Sequence, residues 1–352
     1  MSKIVVAILC GGRSSEHEIS CISAGGILSA LDRTRYEPML IGITRTSGRW
    51  VLMPESTELS IVNGVLPSVP ETGDVVNTDI SGFSVNGKPL RIDLIFPALH
   101  GTFGEDGTIQ GFCEIANIPY VGSGVLASAV AMDKSFAKPI FASHGMSVAE
   151  GIVITEERWR TEKATCESVI GALSLPLFVK PSRGGSSRGT AKVKSANQLG
   201  AAIDDALRFD TKVLIEEAVK GREIECAVLE VDGTIVTSPP GEIQIDKKYD
   251  FYDFDAKYLD GATTAVIPAQ IPEAASKEIE KQAAQAFRAL GCSGLARVDF
   301  FYCEDGQIVI NELNTMPGFT PTSMYPRLLA SRGITYTQII DELMKSALTR
   351  KF

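Results

Sequence analysis

The stretch Lys3–Ser20 reads KIVVAILCGGRSSEHEIS, and its pattern decides the fold. Residues 3–9 are apolar and rich in β-branched side chains, as in a strand buried on both faces. Gly11 and Gly12 follow, and SSEHEIS then opens a helix. Strand, glycine turn and helix predict the first unit of a doubly wound α/β sheet. Working outward, PMLIGIT (38–44) and LIFPAL (94–99) supply further strands. Residues 46–90 between them read as a loop-rich insertion without assignable chemistry, in which Asn86-Gly87 is a plausible hairpin turn.

The remainder continues the α/β alternation. GSGVLASAVAMDKSFAK (122–138) combines a Gly/Ser opening with a helical pattern and reads as a domain junction. LPLFVKPSRGGSSRGTAKV places two strands around a glycine-serine loop, and the segment runs to about residue 216. The third segment opens with VLIEEAV and GREIECAVLE and contains an aromatic, charged loop, IDKKYDFYDFDAKYLDG, and a helix over 273–290. A strand pair, ARVDFFYCEDGQIVINELN, turns at residues 304–306, and the tail from Pro326 is an amphipathic helical close. Two or three domains are expected, since 352 residues exceed one comfortable core, and the segments divide as 1–122, 123–216 and 217–352.

Bulk properties narrow the function. A net charge of −9 argues against nucleic-acid or anionic-membrane partners, which are held by clustered Lys and Arg. No apolar run approaches the roughly 20 residues of a spanning helix, and the apolar start runs into Gly-Gly rather than a cleavage site. Seven scattered cysteines without a CxxC pair favour reduced thiols in a cytoplasmic protein.

Several constellations could carry chemistry. The Gly11-Gly12 turn lacks the GxGxxG spacing and the acid that a dinucleotide site needs, which argues against a nicotinamide cofactor. Ser15 and Glu18 fit a capping box. Glu16 sits in the first helical turn, either as dipole compensation or as a ligand group at the carboxyl end of the sheet. HGTFGEDGTIQG (100–111) holds one of three histidines, and a lone His is more often structural than catalytic. PSRGGSSRG (181–189) suits a phosphate cradle with Lys180 just before it, although such loops are often plain hairpins. The strongest signal is Arg297, Asp299, Glu312 and Asn314. Their spacing of two within paired strands gathers a cation and three oxygen ligands on one face, suited to Mg²⁺. Cross-strand salt bridges alone would account poorly for Asn314 or for the loop TMPGFTPTS that follows.

With GGRSSEHEIS, LHGTFGEDGTIQG, MDK (132–134), VKPSRGGSSRG, LIEEAVKGRE, YDFDAKY, ARVDFF and NELNTMPGFT in this order, the chain resembles D-alanine–D-alanine ligases of the ATP-grasp superfamily, from residue 4 to the last helix. The resemblance implies an ATP-grasp α/β fold and ligation of two D-alanines through a D-alanyl phosphate, for peptidoglycan synthesis in the cytoplasm. By position, Lys134, Lys180 and Ser187 would contact the ATP phosphates, Glu216, Glu217, Ala218 and Val219 would line the adenine pocket, and Glu223 would hold the ribose. Asp299, Glu312 and Asn314 would bind two Mg²⁺ or Mn²⁺ ions. Glu16 would anchor the first ammonium, His100 would lie near it, and Arg297 with the N–H of Gly318 would stabilise the reacting carboxylate. Ser323 and Met324 would hold the second carboxylate. Lys257 and Tyr258 lie on the loop 245–261, expected to close as a lid, with Tyr258 linked to Ser186 and Glu16.

One departure from the family is Glu217, where many relatives carry a basic or neutral residue. The resemblance also implies a second substrate, since in the family Tyr at the position of Tyr258 goes with D-alanine and Phe with D-lactate. A homodimer is implied as well, while a monovalent cation requirement is marked by no motif. The alternatives are a D-alanine–D-lactate or D-alanine–D-serine ligase, another carboxylate–amine ligase of the superfamily, and a non-catalytic nucleotide-binding regulator.

Overall fold

The apolar run at the start becomes β1 (Ile4–Gly11), paired in parallel with β2 (Tyr36–Ile43) on one side and with β7 (Leu94–Pro97) on the other. The computed structural model describes residues 2–80, 82–185, 187–245 and 263–350. Every β1 residue from Val5 onward is buried, because both faces of this strand are covered. Val6, Ile8 and Cys10 face one core, and Ala7 and Leu9 face another. The insertion is more ordered than a loop. It forms β3 (Trp50–Met53), β4 (Asp74–Asp79), β5 (Gly82–Val85) and β6 (Lys88–Leu90), an antiparallel meander that widens the sheet to seven strands. Asn86 and Gly87, both at positive φ, make the expected hairpin turn. Trp50, Phe83 and Phe112 stack at centroid distances of 5.5–5.8 Å, and anchor the meander to α2 (Thr108–Ile115).

Helix α1 (His17–Ala30) follows the glycine turn. Gly11 has φ +85°, and a Cβ there would lie 2.5 Å from the Ile43 carbonyl, so glycine is required for β1 to turn beside β2. The capping box does not form. The helix starts two residues after Ser15, Glu16 is its N-cap without a side-chain cap bond, and Glu18 pairs instead with Arg45 at 2.5 Å.

Two further sheets follow. The second, in the order β10-β9-β11-β8, contains β8 (Gly151–Thr155), β9 (Leu177–Pro181), β10 (Ala191–Val193) and β11 (Lys212–Glu217). The third contains β12 (Gly221–Val231), β13 (Thr234–Thr237), β14 (Gly241–Ile245), β15 (Thr263–Val266), β16 (Leu295–Cys303) and β17 (Ile308–Asn314). Helices α3 (Val125–Met132) and α4 (Lys134–Ser143) share the core of this third sheet, with Phe141 against Ile224, Val298 and Ile310. Helices α5 (Glu156–Thr161), α6 (Lys163–Ile170) and α7 (Leu199–Ala206) cover the second sheet, and α8 (Glu273–Ala289) lies on the third.

The C-terminal helices α9 (Met324–Ser331) and α10 (Tyr336–Thr349) join the first sheet to the third through one apolar core. Phe319 sits at its centre, with Phe96, Tyr325 and Tyr336 at centroid distances of 5.4–5.9 Å. The Tyr325 hydroxyl donates to the Val228 carbonyl at 2.9 Å. The loop after β17 is thereby fixed to the carboxyl end of the first sheet. Among the described residues, no helix is long and apolar enough to cross a membrane.

Candidate active site

The second and third sheets face each other across a cavity of about 460 Å³. Antiparallel pairing alternates their side chains between core and cavity. In β9 and β11, Val179 and Ile215 enter the core, so Phe178, Lys180 and Glu216 line the cavity. In β12, Ile224 and Cys226 enter the core, leaving Glu223 and Glu225 on the cavity side. In β16, Val298 and Phe300 are core, and Arg297 and Asp299 face the cavity.

β17 required one adjustment. Glu312 pairs with Asp299, yet Ile310 pairs with Phe300, which leaves Asn311 as a one-residue bulge. The bulge reverses the alternation. Ile310 and Leu313 both reach the core, while Glu312 and Asn314 share the face of Arg297 and Asp299, as their spacing predicts.

The charges in the cavity are paired. Arg297 grips Asp299 with two bonds of 2.7 Å and approaches Glu225 at 3.2 Å. Desolvation opposes its charge, and Asp299 and Glu225 outweigh that, raising its pKa well above the ordinary value. Asn314 Nδ2 donates to Asp299 at 3.1 Å. Lys134 Nζ lies 2.9 Å from Glu312 and 2.9 Å from the Gly184 carbonyl, so the first residue of α4 ties β17 to the glycine-serine loop. Asp133, the N-cap of α4, strengthens that tie by accepting the Ser182 hydroxyl at 2.5 Å and by pairing with Lys212. Glu216 lies between two lysines, 2.5 Å from Lys138 and 2.5 Å from Lys180. Burial pushes the Glu216 carboxyl up, and the two ammoniums outweigh it and hold it below the ordinary carboxylate range.

The adjoining segment is held by its backbone. The Glu217 carboxylate accepts the Ser174 N–H at 2.7 Å, and the Ala218 N–H donates to the Pro176 carbonyl at 2.9 Å. Glu217 therefore has a structural partner while it lines the cavity. Ser187 lines the cavity at φ +57°.

A second group of residues lies at the carboxyl end of the first sheet, where open α/β sheets bind ligands. Glu16 is 7% exposed, with the backbone of two loops beside it: a Cβ at Gly101 would meet its Oε2 at 2.5 Å, and one at Gly185 at 2.9 Å. His100 donates from Nδ1 to the Met316 carbonyl at 3.0 Å and accepts the Ser23 hydroxyl at Nε2, 2.8 Å away. Burial lowers its pKa, and these two partners fix the neutral Nδ1–H tautomer. Glu105 accepts the N–H groups of Gly101 at 2.6 Å and Met316 at 3.3 Å. Burial and then the Glu16 carboxylate push it up to about 8. Gly318 and Ser323 stand together, since a Cβ at Gly318 would be 3.2 Å from the Ser323 hydroxyl. Ser323 is the N-cap of α9 without a side-chain cap bond, its hydroxyl being taken by Thr320.

The structure thus brings Lys134, Lys180, Ser187, Glu216, Glu217, Ala218, Val219, Glu223, Arg297, Asp299 and Glu312 to one cavity, with Asn314 beside Asp299. Glu16 and His100 lie in the second group, and Gly318, Ser323 and Met324 follow Met316, the partner of His100, along the loop into α9. Ser186, Lys257, Tyr258 and nearly all of the expected lid lie outside the described residues. Sequence reasoning missed Lys138, Glu225 and Glu105. Lys138 is four residues from Lys134 on one helical face, and Glu225 is two from Glu223 on one strand face, so both were within reach of periodicity.

Two family models match, described as the D-ala D-ala ligase N-terminus over residues 5–123 and the D-ala D-ala ligase C-terminus over residues 140–345. The chain is 48% identical to the D-alanine–D-alanine ligase of Paenarthrobacter aurescens, covering 98% of this chain and 95% of that protein. It is 46% identical to that of Mycobacterium leprae, covering 99% and 94%. Among solved structures it resembles the VanG D-Ala:D-Ser ligase from Enterococcus faecalis, with TM-score 0.85 and 35% identity over 98% of this chain and 100% of that one. The D-alanine–D-alanine ligase from Coxiella burnetii matches with TM-score 0.81 and 32% identity over 98% and 95%. The fold is accordingly the ATP-grasp α/β architecture expected from the sequence, and the chain belongs to the D-alanine–D-alanine ligase family.

Proposed function

We propose that the protein joins two D-alanines into D-alanyl-D-alanine, converting ATP to ADP and phosphate, and so feeds peptidoglycan synthesis in the cytoplasm. The observation that carries this reading is the convergence of Lys134, Lys180, Arg297, Asp299 and Glu312 on one cavity beside the Glu16 group. Relatives 46–48% identical over nearly their whole lengths bear that name.

The adenine would lie along Glu216–Val219 with Glu223 at the ribose, and Lys134, Lys180 and Ser187 would meet the phosphates. Two carboxylates and one amide, Asp299, Glu312 and Asn314, are hard-oxygen donors already within reach of one another, a set that fits Mg²⁺ or Mn²⁺ completed by phosphate oxygens. The bound ions would neutralise charge on the transferring phosphoryl group. Glu16 would hold the first D-alanine's ammonium, aiming its carboxylate oxygen at the γ-phosphorus. That attack breaks the bond to ADP and forms an acyl phosphate, with Arg297 and the Gly318 N–H facing the developing charge. The second D-alanine's carboxylate would sit at the N-terminus of α9, against Ser323 and the Met324 N–H. Its amine then attacks the acyl carbon and expels phosphate. Lys257, Tyr258 and Ser186, with the loop 245–261, would exclude water from the acyl phosphate.

We also propose the domain division 1–122, 123–216 and 217–352, and a homodimer, the latter testable by light scattering. The likeness to a D-Ala:D-Ser ligase favours D-serine as the second reading for the second substrate. The test is ADP release with Mg-ATP and D-alanine, L-alanine, D-alanine plus D-serine, or no amino acid, with products identified by mass. Turnover with D-alanine alone, giving the dipeptide, is expected. ATP turnover indifferent to D-alanine would refute the reading.

A further inference from the structure

Lys138 belongs to no motif and has no role in the mechanism above, yet it is among the most buried cations of the cavity. Its side chain is 7% exposed, that of Glu216 4% and that of Lys180 14%. The Glu216 carboxylate gives one oxygen to each lysine at 2.5 Å. Among the described residues, the ion pairs of Lys134, Lys138 and Lys180 run to Glu312 and Glu216, with Glu105 also acting on Lys134. A buried ion pair is weak as a device for stability, since desolvation cancels most of the attraction. Here burial pulls the Lys138 ammonium down to about 8 even with Glu216 beside it. The arrangement invites an explanation in binding.

We propose that Lys138 is a positioning residue for the nucleotide: by holding one oxygen of Glu216, it shares that carboxylate with Lys180, weakens the hold of Glu216 on the Lys180 ammonium and so lets the phosphates draw that ammonium away. The geometry gives the reason. A buried carboxylate needs a cation, and Lys180, at the end of β9, is the other one within reach. Without the charge on Lys138, Glu216 holds Lys180 as its one remaining ion-pair partner among the described residues. The inference rests on the cavity being the ATP site.

The test is a double-mutant cycle in the full-length protein with K138M, E216Q and the pair, reading KM for ATP, KM for D-alanine and ADP affinity by calorimetric titration. K138M is expected to raise KM for ATP and the ADP dissociation constant about tenfold, with KM for D-alanine within twofold. In the E216Q background, where the trap is gone, K138M is expected to add less than about twofold. An undiminished tenfold penalty there would mean that Lys138 serves the nucleotide directly, and would overturn the proposal. So would an unchanged KM for ATP in folded K138M. K138R keeps the question measurable whatever K138M does to folding: it leaves a cation beside Glu216 and is expected to hold KM for ATP within about threefold of wild type, and a tenfold rise would overturn the proposal. If the wild type shows no turnover dependent on D-alanine, the functional reading fails instead, and the ADP titrations still decide the role of Lys138.

Discussion

Replacing Gly101 by alanine tests the role of Glu16 without touching it. Gly101 has φ +71°, and a Cβ there would stand 2.5 Å from Glu16 Oε2, 3.6 Å from its Cδ and 3.6 Å from Ser14 Cβ. An ordinary contact needs about 3.5 Å, so the carboxylate must retreat by roughly 1 Å. Gly185 limits the retreat, since its own position for a Cβ is 2.9 Å from the same oxygen. Displacing a positioning group by that distance costs on the order of 10²-fold in rate. We therefore expect Gly101→Ala to lower kcat/KM for D-alanine by roughly 10- to 100-fold, with KM for ATP unchanged. The backbone exacts a separate penalty of about 1–2 kcal/mol for a left-handed L-residue. Gly145→Ala isolates it, because Gly145 has φ +78° with nothing within 4 Å of a Cβ. Both variants should lose a few degrees of Tm, and only Gly101→Ala should lose D-alanine turnover. The assay is ADP release at saturating ATP with D-alanine varied, alongside thermal unfolding. If Gly101→Ala matches Gly145→Ala in both measurements, the assignment of Glu16 as the ammonium anchor is wrong.

Three other outcomes are expected. Glu312→Gln removes the carboxylate held by Lys134 and one expected metal donor, so activity should fall on the order of 10²-fold, with saturation moved to higher magnesium in a Mg²⁺ titration. Asp210 accepts the Arg183 N–H at 2.8 Å and its guanidinium at 2.6 Å; burial pushes this carboxyl up, but Arg183 more than reverses it and holds it below the ordinary range. A depressed folded pKa contributes stability that is present above about pH 4 and lost as pH falls further, so Asp210→Asn should flatten the acid limb of Tm against pH; an unchanged limb would count against the pairing. Glu217→Ala should cost about 1 kcal/mol through the lost Ser174 bond, read by urea unfolding, and leave KM for ATP unchanged.

The parts legible in the sequence were those whose physics is local. β1 could be read because a strand buried on both faces is apolar without interruption, and Gly11 because the turn beside Ile43 has no room for a side chain. The meander of residues 46–90 could not. β4 reads DVVNTD with a single buried residue, so its strand character comes from its neighbours and not from its own alternation. The false capping box has the same origin, for Ser15-x-x-Glu18 is a valid local signal, and Arg45, 27 residues away, competes for the glutamate.

The site shows how far a periodic argument can be carried. The spacing of two that places Glu312 and Asn314 on one face holds because the bulge at Asn311 falls just outside that interval. Extended two residues back, the same rule would turn Ile310 to the face of Glu312 and Asn314, whereas Ile310 is fully buried in the apolar core that holds Val298 and Phe300 and borders the cavity. One inserted residue thus lets a single strand serve a continuous apolar core at its start and a polar cluster at its end. Deleting Asn311 would force a choice between burying Glu312 and turning Ile310 out of the core. A bulge belongs to the pairing of two strands, and neither strand read alone contains it.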